Sequence, residues 1–201
     1  MSDERQFPAW EKLYQERAGE TMPWYYAALD PDLDRALSAF GPRGGSALDL
    51  GTGPGTQAIA LAERGFAVTA TDVSAAAVEQ ARARAEARGL AVQFRQDDVL
   101  DSRLEGSFDF VLDRGCFHVI VPERRAAYVD AVRQLVAPGG FLFLKCFSAK
   151  QPGGLGPFRF APEDIERIFG AAFAVRAIEE TVYQGTLNPE PRALFCVLQR
   201  P

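Results

Sequence analysis

Three closely spaced glycines follow the first apolar run of a repeating pattern in the chain. The run at residues 47–50 ends in Asp49-Leu50, and Gly51, Gly53 and Gly55 stand at alternate positions before a helical pattern begins. Glycine lets the backbone turn sharply and lets a ligand approach with no Cβ in the way. The start of a helix carries unpaired N–H groups and partial positive charge. The loop therefore favours binding of an anionic group, a carboxylate or phosphate of a nucleotide-like cofactor.

A carboxylate follows this loop at the end of the next predicted strand. Asp72 comes about twenty residues after the first glycine, where an acidic side chain can accept hydrogen bonds from both hydroxyls of a ribose. The alternative for Asp72 is a helix-capping or solvated turn acid. The glycine spacing itself is G-x-G-x-G, which differs from the G-x-G-x-x-G of dinucleotide folds.

A second group of reactive side chains follows the fourth predicted strand, residues 107–115. Arg114 lies at its carboxyl end, where ligands bind in open α/β sheets, and a cation there would stabilise a thiolate. His118 and Asp113 are the candidate general bases for an oxygen or nitrogen nucleophile. The structural alternatives are an Arg114 ion pair with Asp113 or Glu123 and a His118 packed in the core.

The cysteines and one lysine favour packing roles over metal or disulfide chemistry. Cys116, Cys146 and Cys196 lie in or beside apolar runs and lack C-x-x-C spacing, which indicates reduced thiols. With one histidine in the chain, no metal site is expected. Lys145 stands inside the apolar run 140–147, and a charge there is expected to point toward a strand end or a pocket.

Size and composition limit the possible function classes. The 201 residues fit one domain, 1–201, and the net charge of −5 argues against a nucleic-acid-binding surface. No run of 18 apolar residues occurs, and residues 1–10 lack the apolar core of a signal peptide. We therefore expect a cytoplasmic protein with neither a nucleic acid nor a membrane as partner. A monomer is expected from its size, and a homodimer stays open.

The elements that position these residues alternate between strand and helix. The five successive predicted strands lie at residues 47–50, 67–74, 91–96, 107–115 and 140–147. A short helix at 162–169 is followed by strands at 173–183 and 193–200. The loop between those two strands is too short for a helical crossover, so they should pair antiparallel.

This pattern predicts an α/β fold: a Rossmann-like, doubly wound, seven-stranded and mostly parallel sheet in three αβα layers, with one antiparallel strand near the C-terminus. Residues 46–201 would form its core. The aromatic, irregular residues 1–45 would form an N-terminal cap.

The combination resembles the class I S-adenosylmethionine-dependent methyltransferases over nearly the whole chain. The matching residues are the D-x-G-x-G-x-G stretch, Asp72, and the segments 96–100, 108–111 and 137–144. The resemblance implies S-adenosylmethionine as the methyl donor and S-adenosylhomocysteine as the product. The glycine loop would hold the methionine part, Asp72 the ribose, and Asp98 the adenine amino group. The residues that the resemblance implies in cofactor binding are Asp49, Gly51, Thr52, Gly53, Gly55, Asp72, Val73, Asp98, Val99 and Trp24.

A narrower resemblance comes from two further segments. Residues 108–120, with their D-R-G stretch, and 153–170 are similar to the thiopurine and thiol methyltransferase group. That group has a G-P-P-[FY] segment where this chain has Gly-Pro-Phe, one proline short, at 156–158. The N-terminal aromatic residues are similar to its cofactor-covering segment. Trp24 is therefore expected to act as a lid, since a Trp face attracts cations; packing of the first helix is the alternative.

The leading hypothesis is an S-adenosylmethionine-dependent methyltransferase of a small-molecule acceptor, with sulfur slightly favoured and Arg114 beside the sulfur. The first alternative is an O- or N-methyltransferase that uses His118 or Asp113 as base. A nicotinamide-dependent oxidoreductase shares the glycine loop and Asp72, but no Tyr-x-x-x-Lys constellation is present. A non-catalytic S-adenosylmethionine-binding module is the remaining alternative.

Overall fold

The computed structural model of the protein describes residues 7–42 and 44–201. Residues 1–6 and 43, which belong to the expected cap, lie outside the described residues. The strands are β1 Ser46–Leu50, β2 Ala67–Asp72, β3 Val92–Gln96, β4 Phe108–Arg114, β5 Val136–Ser148, β6 Arg159–Phe160, β7 Ala174–Val182 and β8 Arg192–Gln199. The α-helices are α1 Trp10–Glu16, α2 Pro31–Ala39, α3 Thr56–Glu63, α4 Ala75–Glu86, α5 Arg125–Leu135 and α6 Pro162–Phe169.

The strands form one sheet in the order β3-β2-β1-β4-β5-β8-β7, and the short β6 pairs with β5. Strand β8 is antiparallel to both β5 and β7, while the pairs from β3 to β5 are parallel. The predicted Rossmann-like α/β sheet is confirmed. The chain reverses its direction of travel across the sheet between β1 and β4, so a ligand crevice is expected at the carboxyl ends of these strands.

Apolar side chains on both faces of the central strands explain the layered arrangement. Phe110 and Val111 are adjacent in β4 and point to opposite faces, because side chains alternate along a strand. Val111 packs in the cluster that contains Tyr128 of α5, and Phe110 in the cluster that contains Leu61 of α3. Both strand residues are fully buried, as expected of a parallel sheet covered on each side.

The junction between α5 and β5 differs from its predicted form. The sequence predicted that the fifth strand begins at Gly140. In the structure α5 ends at Leu135 and β5 begins at Val136 with no intervening loop. The Pro-Gly-Gly segment lies inside β5, because the N–H of Gly139 donates to the carbonyl of Arg200 at 2.9 Å and the register with β4 shifts at this point.

The N-terminal segment is held across the carboxyl end of the sheet by two glutamines of the core helices. Gln80 of α4 accepts the N–H of Gly19 at 2.9 Å and donates to the carbonyl of Tyr14 at 2.6 Å. Gln57 of α3 accepts the N–H of Asp30 at 2.8 Å. Both side chains bind backbone groups, so they fix the path of the N-terminal segment without requiring particular side chains there.

Within the described part of the chain, no helix is both long enough and apolar enough to cross a membrane.

Candidate functional site

The glycine loop between β1 and α3 requires glycine at each of its three positions. Gly51, Gly53 and Gly55 have φ values of +67°, +50° and +76°, in the left-handed region that side chains rarely adopt. A Cβ on Gly53 would lie 2.6 Å from the Tyr14 hydroxyl, and one on Gly55 would lie 2.6 Å from the Cβ of Ala81. Both the left-handed backbone and the close approach of Tyr14 and Ala81 therefore require glycine in this loop.

Asp49 lies beneath this loop and determines its shape. Its Oδ2 accepts the Thr52 hydroxyl at 2.5 Å and the N–H of Ala58 in α3 at 3.1 Å. Burial raises the pKa of this carboxyl to about 6. Thr52 is also fixed through its N–H, which donates to the carbonyl of Thr71 at 2.8 Å. Asp49 and Thr52 thus tie the loop to α3 and to β2.

Asp72 at the end of β2 is joined to the same loop. Its Oδ2 accepts the N–H of Gly53 at 2.8 Å, and its Oδ1 accepts the N–H of Ser74 at 2.9 Å. Burial raises the pKa of the Asp72 carboxyl. A carboxylate has about four acceptor positions, so the Gly53 and Ser74 bonds do not use all of them. The next residue, Val73, is 50% exposed although it is aliphatic.

Asp98 brings a second carboxylate to this edge of the sheet. The N–H of Asp97 donates to the carbonyl of Asp72 at 3.0 Å, so the ends of β2 and β3 are adjacent. The Asp98 side chain is exposed and accepts the N–H of Leu100 at 2.9 Å, while Val99 is buried. An exposed aliphatic side chain and an exposed carboxylate together suit an aromatic base with an amino group.

Trp24 and Tyr14 lie over the glycine loop. The indole N–H of Trp24 donates to the Tyr14 hydroxyl at 3.0 Å, and Trp10 packs edge-on against Trp24 with ring centroids 5.9 Å apart. A Cβ on Gly53 would be 3.5 Å from the Trp24 indole nitrogen. The structure therefore places Trp24 beside the loop that the sequence associated with it.

Arg114 at the end of β4 is held by three protein acceptors. Its Nε donates to Asp30 Oδ2 at 2.7 Å, Nη1 to the Trp24 carbonyl at 3.1 Å, and Nη2 to the Gln184 carbonyl at 2.5 Å. The Tyr183 ring lies 4.5 Å from the guanidinium carbon. The ion-pair partner is thus in the N-terminal cap and not one of the nearby acids considered from sequence. The cation that was expected beside a sulfur acceptor instead connects the cap to the sheet.

Asp113 caps the turn that follows β4. Its buried carboxylate accepts the N–H groups of Gly115, Cys116 and Phe117 at 2.9, 2.7 and 2.9 Å, and it also accepts the Tyr128 hydroxyl. Burial raises the pKa of Asp113 to about 6. Because four donors engage its oxygens, the carboxylate is occupied as a structural acceptor.

His118 lies in the turn Phe117–Val119, and 6% of its surface is exposed. Its ring packs edge-on against Phe147, with centroids 5.0 Å apart, and lies 5.8 Å from the Tyr183 ring. Burial, reinforced by the charge of Arg114, lowers the pKa of His118 to about 3, so the imidazole is neutral at pH 7. Its Nδ1 is buried and has no hydrogen-bond partner among the described residues.

Sequence patterns missed the partners of Lys145. The fully buried Nζ of Lys145 lies 2.7 Å from Asp30 Oδ2, 2.6 Å from Asp32 Oδ2 and 2.5 Å from Gln184 Oε1. We call Asp30, Asp32, Arg114 and Lys145 the buried ion cluster. A lysine inside an apolar strand indicated a buried charge at this position, but no nearby sequence feature identified Asp30 and Asp32 as its partners.

Comparison with known proteins decides the family. Residues 47–140 match the family described as a methyltransferase domain. An uncharacterized methyltransferase of Schizosaccharomyces pombe is 34% identical over 104 residues, which cover 50% of this chain and 70% of that protein. The chain belongs to the methyltransferase family. The predicted class I superfamily and its cofactor, S-adenosylmethionine, are confirmed.

Further relatives differ in what their names say they methylate. The tRNA 5-carboxymethoxyuridine methyltransferase of Escherichia coli K12 is 35% identical over 127 residues, 61% of this chain and only 48% of that enzyme. This methyltransferase chain thus spans about half the length of that relative. Thiocyanate methyltransferase 1 of Brassica oleracea is 28% identical over 180 residues, 87% of this chain and 77% of that enzyme.

A solved structure associated with the conversion of a disulfide bond into a thioacetal group during echinomycin biosynthesis has a TM-score of 0.82 and 25% identity. The alignment covers 94% of this chain and 89% of that one. The similarity therefore extends over most of this methyltransferase and well beyond the glycine loop.

The residues at the carboxyl edge fit S-adenosylmethionine. Gly51, the first glycine of the loop, is exposed, and Asp72 has acceptor positions beyond those that Gly53 and Ser74 use. Val73 and Asp98 are exposed at the neighbouring strand ends. These are the apolar surface and the hydrogen-bond acceptor that an adenine ring with its amino group requires.

Proposed function

We propose that this methyltransferase transfers a methyl group to the sulfur of a small molecule and belongs with the thiol and thiopurine enzymes. The observation that supports this acceptor is the state of the two candidate bases. Asp113 is engaged by four donors, and the low pKa of His118, about 3, makes it a weak base. A thiol, with a pKa near 8.5, forms its own nucleophilic anion near neutral pH and needs no strong base.

S-adenosylmethionine supplies an electrophilic methyl group on a sulfonium. The glycine loop would hold the amino-acid end, Asp72 the two ribose hydroxyls and Asp98 the adenine amino group, with Val73 and Val99 against the ring. Methyl transfer requires the nucleophile in line with the methyl carbon at about 3–3.5 Å, so positioning is the main task of the protein. Trp24 and Tyr14, which cover the loop, would exclude water from this region.

Arg114 takes a different role from the one that its sequence position suggested. The buried ion cluster contains two carboxylates and two cations, and Asp32 is also bonded to the exposed Arg35. The guanidinium also has three protein acceptors already. In this proposal Arg114 holds Trp24 and Gln184 in place and does not contact the sulfur.

His118 is the group that would face the acceptor. Its ring packs against Phe147 and Tyr183, and its buried, unpartnered Nδ1 would offer one hydrogen bond in an otherwise apolar setting. Such an environment suits a thiol or thione on a flat, largely uncharged molecule. The names of two relatives, the thiocyanate methyltransferase and the thioacetal-forming system, also concern sulfur. The net charge of −5 supports a small molecule over tRNA.

The second candidate is O- or N-methylation with His118 as base, which its free Nδ1 favours. A matched acceptor series tests both: thiophenol, phenol and aniline, each with methyl-labelled S-adenosylmethionine. We expect label transfer to thiophenol alone, at a rate that rises with the ionised fraction of the thiol. Methylation of phenol or aniline that is abolished by His118→Gln would overturn the sulfur proposal in favour of the second candidate.

A further inference from the structure

The buried ion cluster joins parts of the chain that are distant in sequence. Asp30 and Asp32 lie at the start of α2 in the cap, Arg114 ends β4, and Lys145 is near the carboxyl end of β5. Side-chain exposure is 7% for Arg114 and 2% or less for the other three. Replacing such a buried ion network by apolar residues is often neutral or stabilising, so its presence is weak evidence for a role in stability alone.

Asp30 is the acceptor that the two cations share. Its carboxylate accepts Lys145 Nζ at 2.9 and 2.7 Å, Arg114 Nε at 2.7 Å, and the N–H of Asp32 at 3.0 Å. Burial by itself raises the pKa of Asp30, but Lys145 and Arg114 outweigh it and hold the pKa below its usual value. Asp30 is therefore ionised and bonded to both strands at neutral pH.

From Asp30 a chain of hydrogen bonds leads to the cofactor loop. Arg114, held by Asp30, donates to the Trp24 carbonyl at 3.1 Å. The Trp24 indole donates to the Tyr14 hydroxyl at 3.0 Å, and this hydroxyl lies against Gly53. Removal of the Asp30 carboxylate would therefore loosen the cap at Trp24, while Gln80 would still hold the Tyr14 backbone.

We propose that Asp30 is a positioning residue of methyl transfer: by binding Arg114 and Lys145 together, it seats the cap so that Trp24 and Tyr14 cover the bound S-adenosylmethionine. The inference rests on the proposed use of the glycine loop for that cofactor. It does not depend on the identity of the acceptor.

The test compares Asp30→Asn with Asp34→Asn. Asp34 is on the same helix and is also bonded to an arginine, Arg64, at 2.6 and 2.9 Å. This pair is exposed and is not part of the hydrogen-bond chain from Asp30 to the glycine loop. S-adenosylhomocysteine affinity is measured by calorimetry. We expect the dissociation constant to rise about tenfold for Asp30→Asn and less than about twofold for Asp34→Asn.

A second readout reports on the cap itself. Both tryptophans of the chain, Trp10 and Trp24, are in the cap, so acrylamide quenching of their fluorescence measures its seating in the free protein. We expect stronger quenching in Asp30→Asn than in the wild type or Asp34→Asn. With thiophenol as acceptor, the KM for S-adenosylmethionine should rise while kcat at saturation changes less.

The double variant Asp30→Asn/Lys145→Met removes one charge of each sign and avoids an uncompensated buried cation if the single variant does not fold. A folded variant, single or double, with wild-type quenching and wild-type S-adenosylhomocysteine affinity would overturn the proposal. Failure of the wild-type protein to bind S-adenosylhomocysteine would instead refute the proposed function, and the quenching comparison would still test the seating of the cap.

Discussion

The backbone N–H of Gly53 donates a 2.8 Å hydrogen bond to Oδ2 of Asp72, which makes the glycine loop and the acid at the end of β2 one structural unit. The sequence predicted these two features as separate contacts to different parts of the cofactor. Their direct bond means that a change at Asp72 also alters the loop. Loss of the Asp72 charge should therefore affect more than the ribose.

Asp72→Asn is expected to weaken S-adenosylhomocysteine binding by about 10- to 100-fold, since hydrogen bonds to a charged group contribute about 1.5–3 kcal/mol. The matched control is Asp109→Asn. Asp109 is near the amino end of β4, at the opposite edge of the sheet, and its carboxylate accepts the N–H of Ser46 at 2.7 Å. Calorimetry on both variants checks the prediction. Equal affinities in the two variants would contradict it.

Gly53→Ala tests the close approach of the cap to the loop. Gly89→Ala is its control, because Gly89 has a similar φ of +68° but open space around its Cβ position. Both changes should cost about 1–2 kcal/mol of unfolding free energy from left-handed strain. Gly53→Ala should in addition displace Tyr14 and reduce S-adenosylhomocysteine affinity. The pair is compared by urea denaturation and calorimetry, and equal affinity losses would refute the role of close approach.

The parts of the fold that were predictable have local signals. Each of these signals lies within a segment of about ten residues. The apolar runs of β4 and β5 indicate buried strands, and the short connection between β7 and β8 indicates that these two strands pair antiparallel. The glycine loop is similarly local. The Pro-Gly-Gly segment in β5 is the exception, because its pairing with Arg200 depends on a strand far along the chain.

The side-chain partners could not be predicted in the same way. Arg114 was expected near a sulfur or beside a neighbouring acid, but its partner Asp30 is separated from it by 84 residues. Lys145 and Asp30 are separated by 115. Such pairs depend on how the cap folds over the sheet, and neither hydrophobic periodicity nor motif spacing contains that information. Asp113 was placed at the correct strand end, but the turn that it caps determines which way its carboxylate points.

The low pKa of His118 predicts a pH-dependent loss of stability. Its folded-state pKa is about 3, against about 6.5 when unfolded, so the neutral ring contributes stability above pH 6.5 that is lost as pH falls toward 3. At pH 5 the loss is about 2 kcal/mol. His118→Gln has no imidazole to protonate. The unfolding free energy of the wild type minus that of His118→Gln should therefore fall by about 2 kcal/mol between pH 7 and 5. A difference that stays constant with pH in urea denaturation would contradict the prediction.

Tyr128→Phe separates a structural from a catalytic role of Asp113. The Tyr128 hydroxyl donates to the buried Asp113 carboxylate, so its removal should cost about 1–3 kcal/mol of unfolding free energy. This hydrogen bond lowers the pKa of Asp113, against the upward effect of burial. If Asp113 were the general base, the acid limb of the pH–rate profile would shift to higher pH in Tyr128→Phe. We expect the limb to stay in place and kcat to remain within about twofold, because the acceptor thiol controls the ionisation that matters.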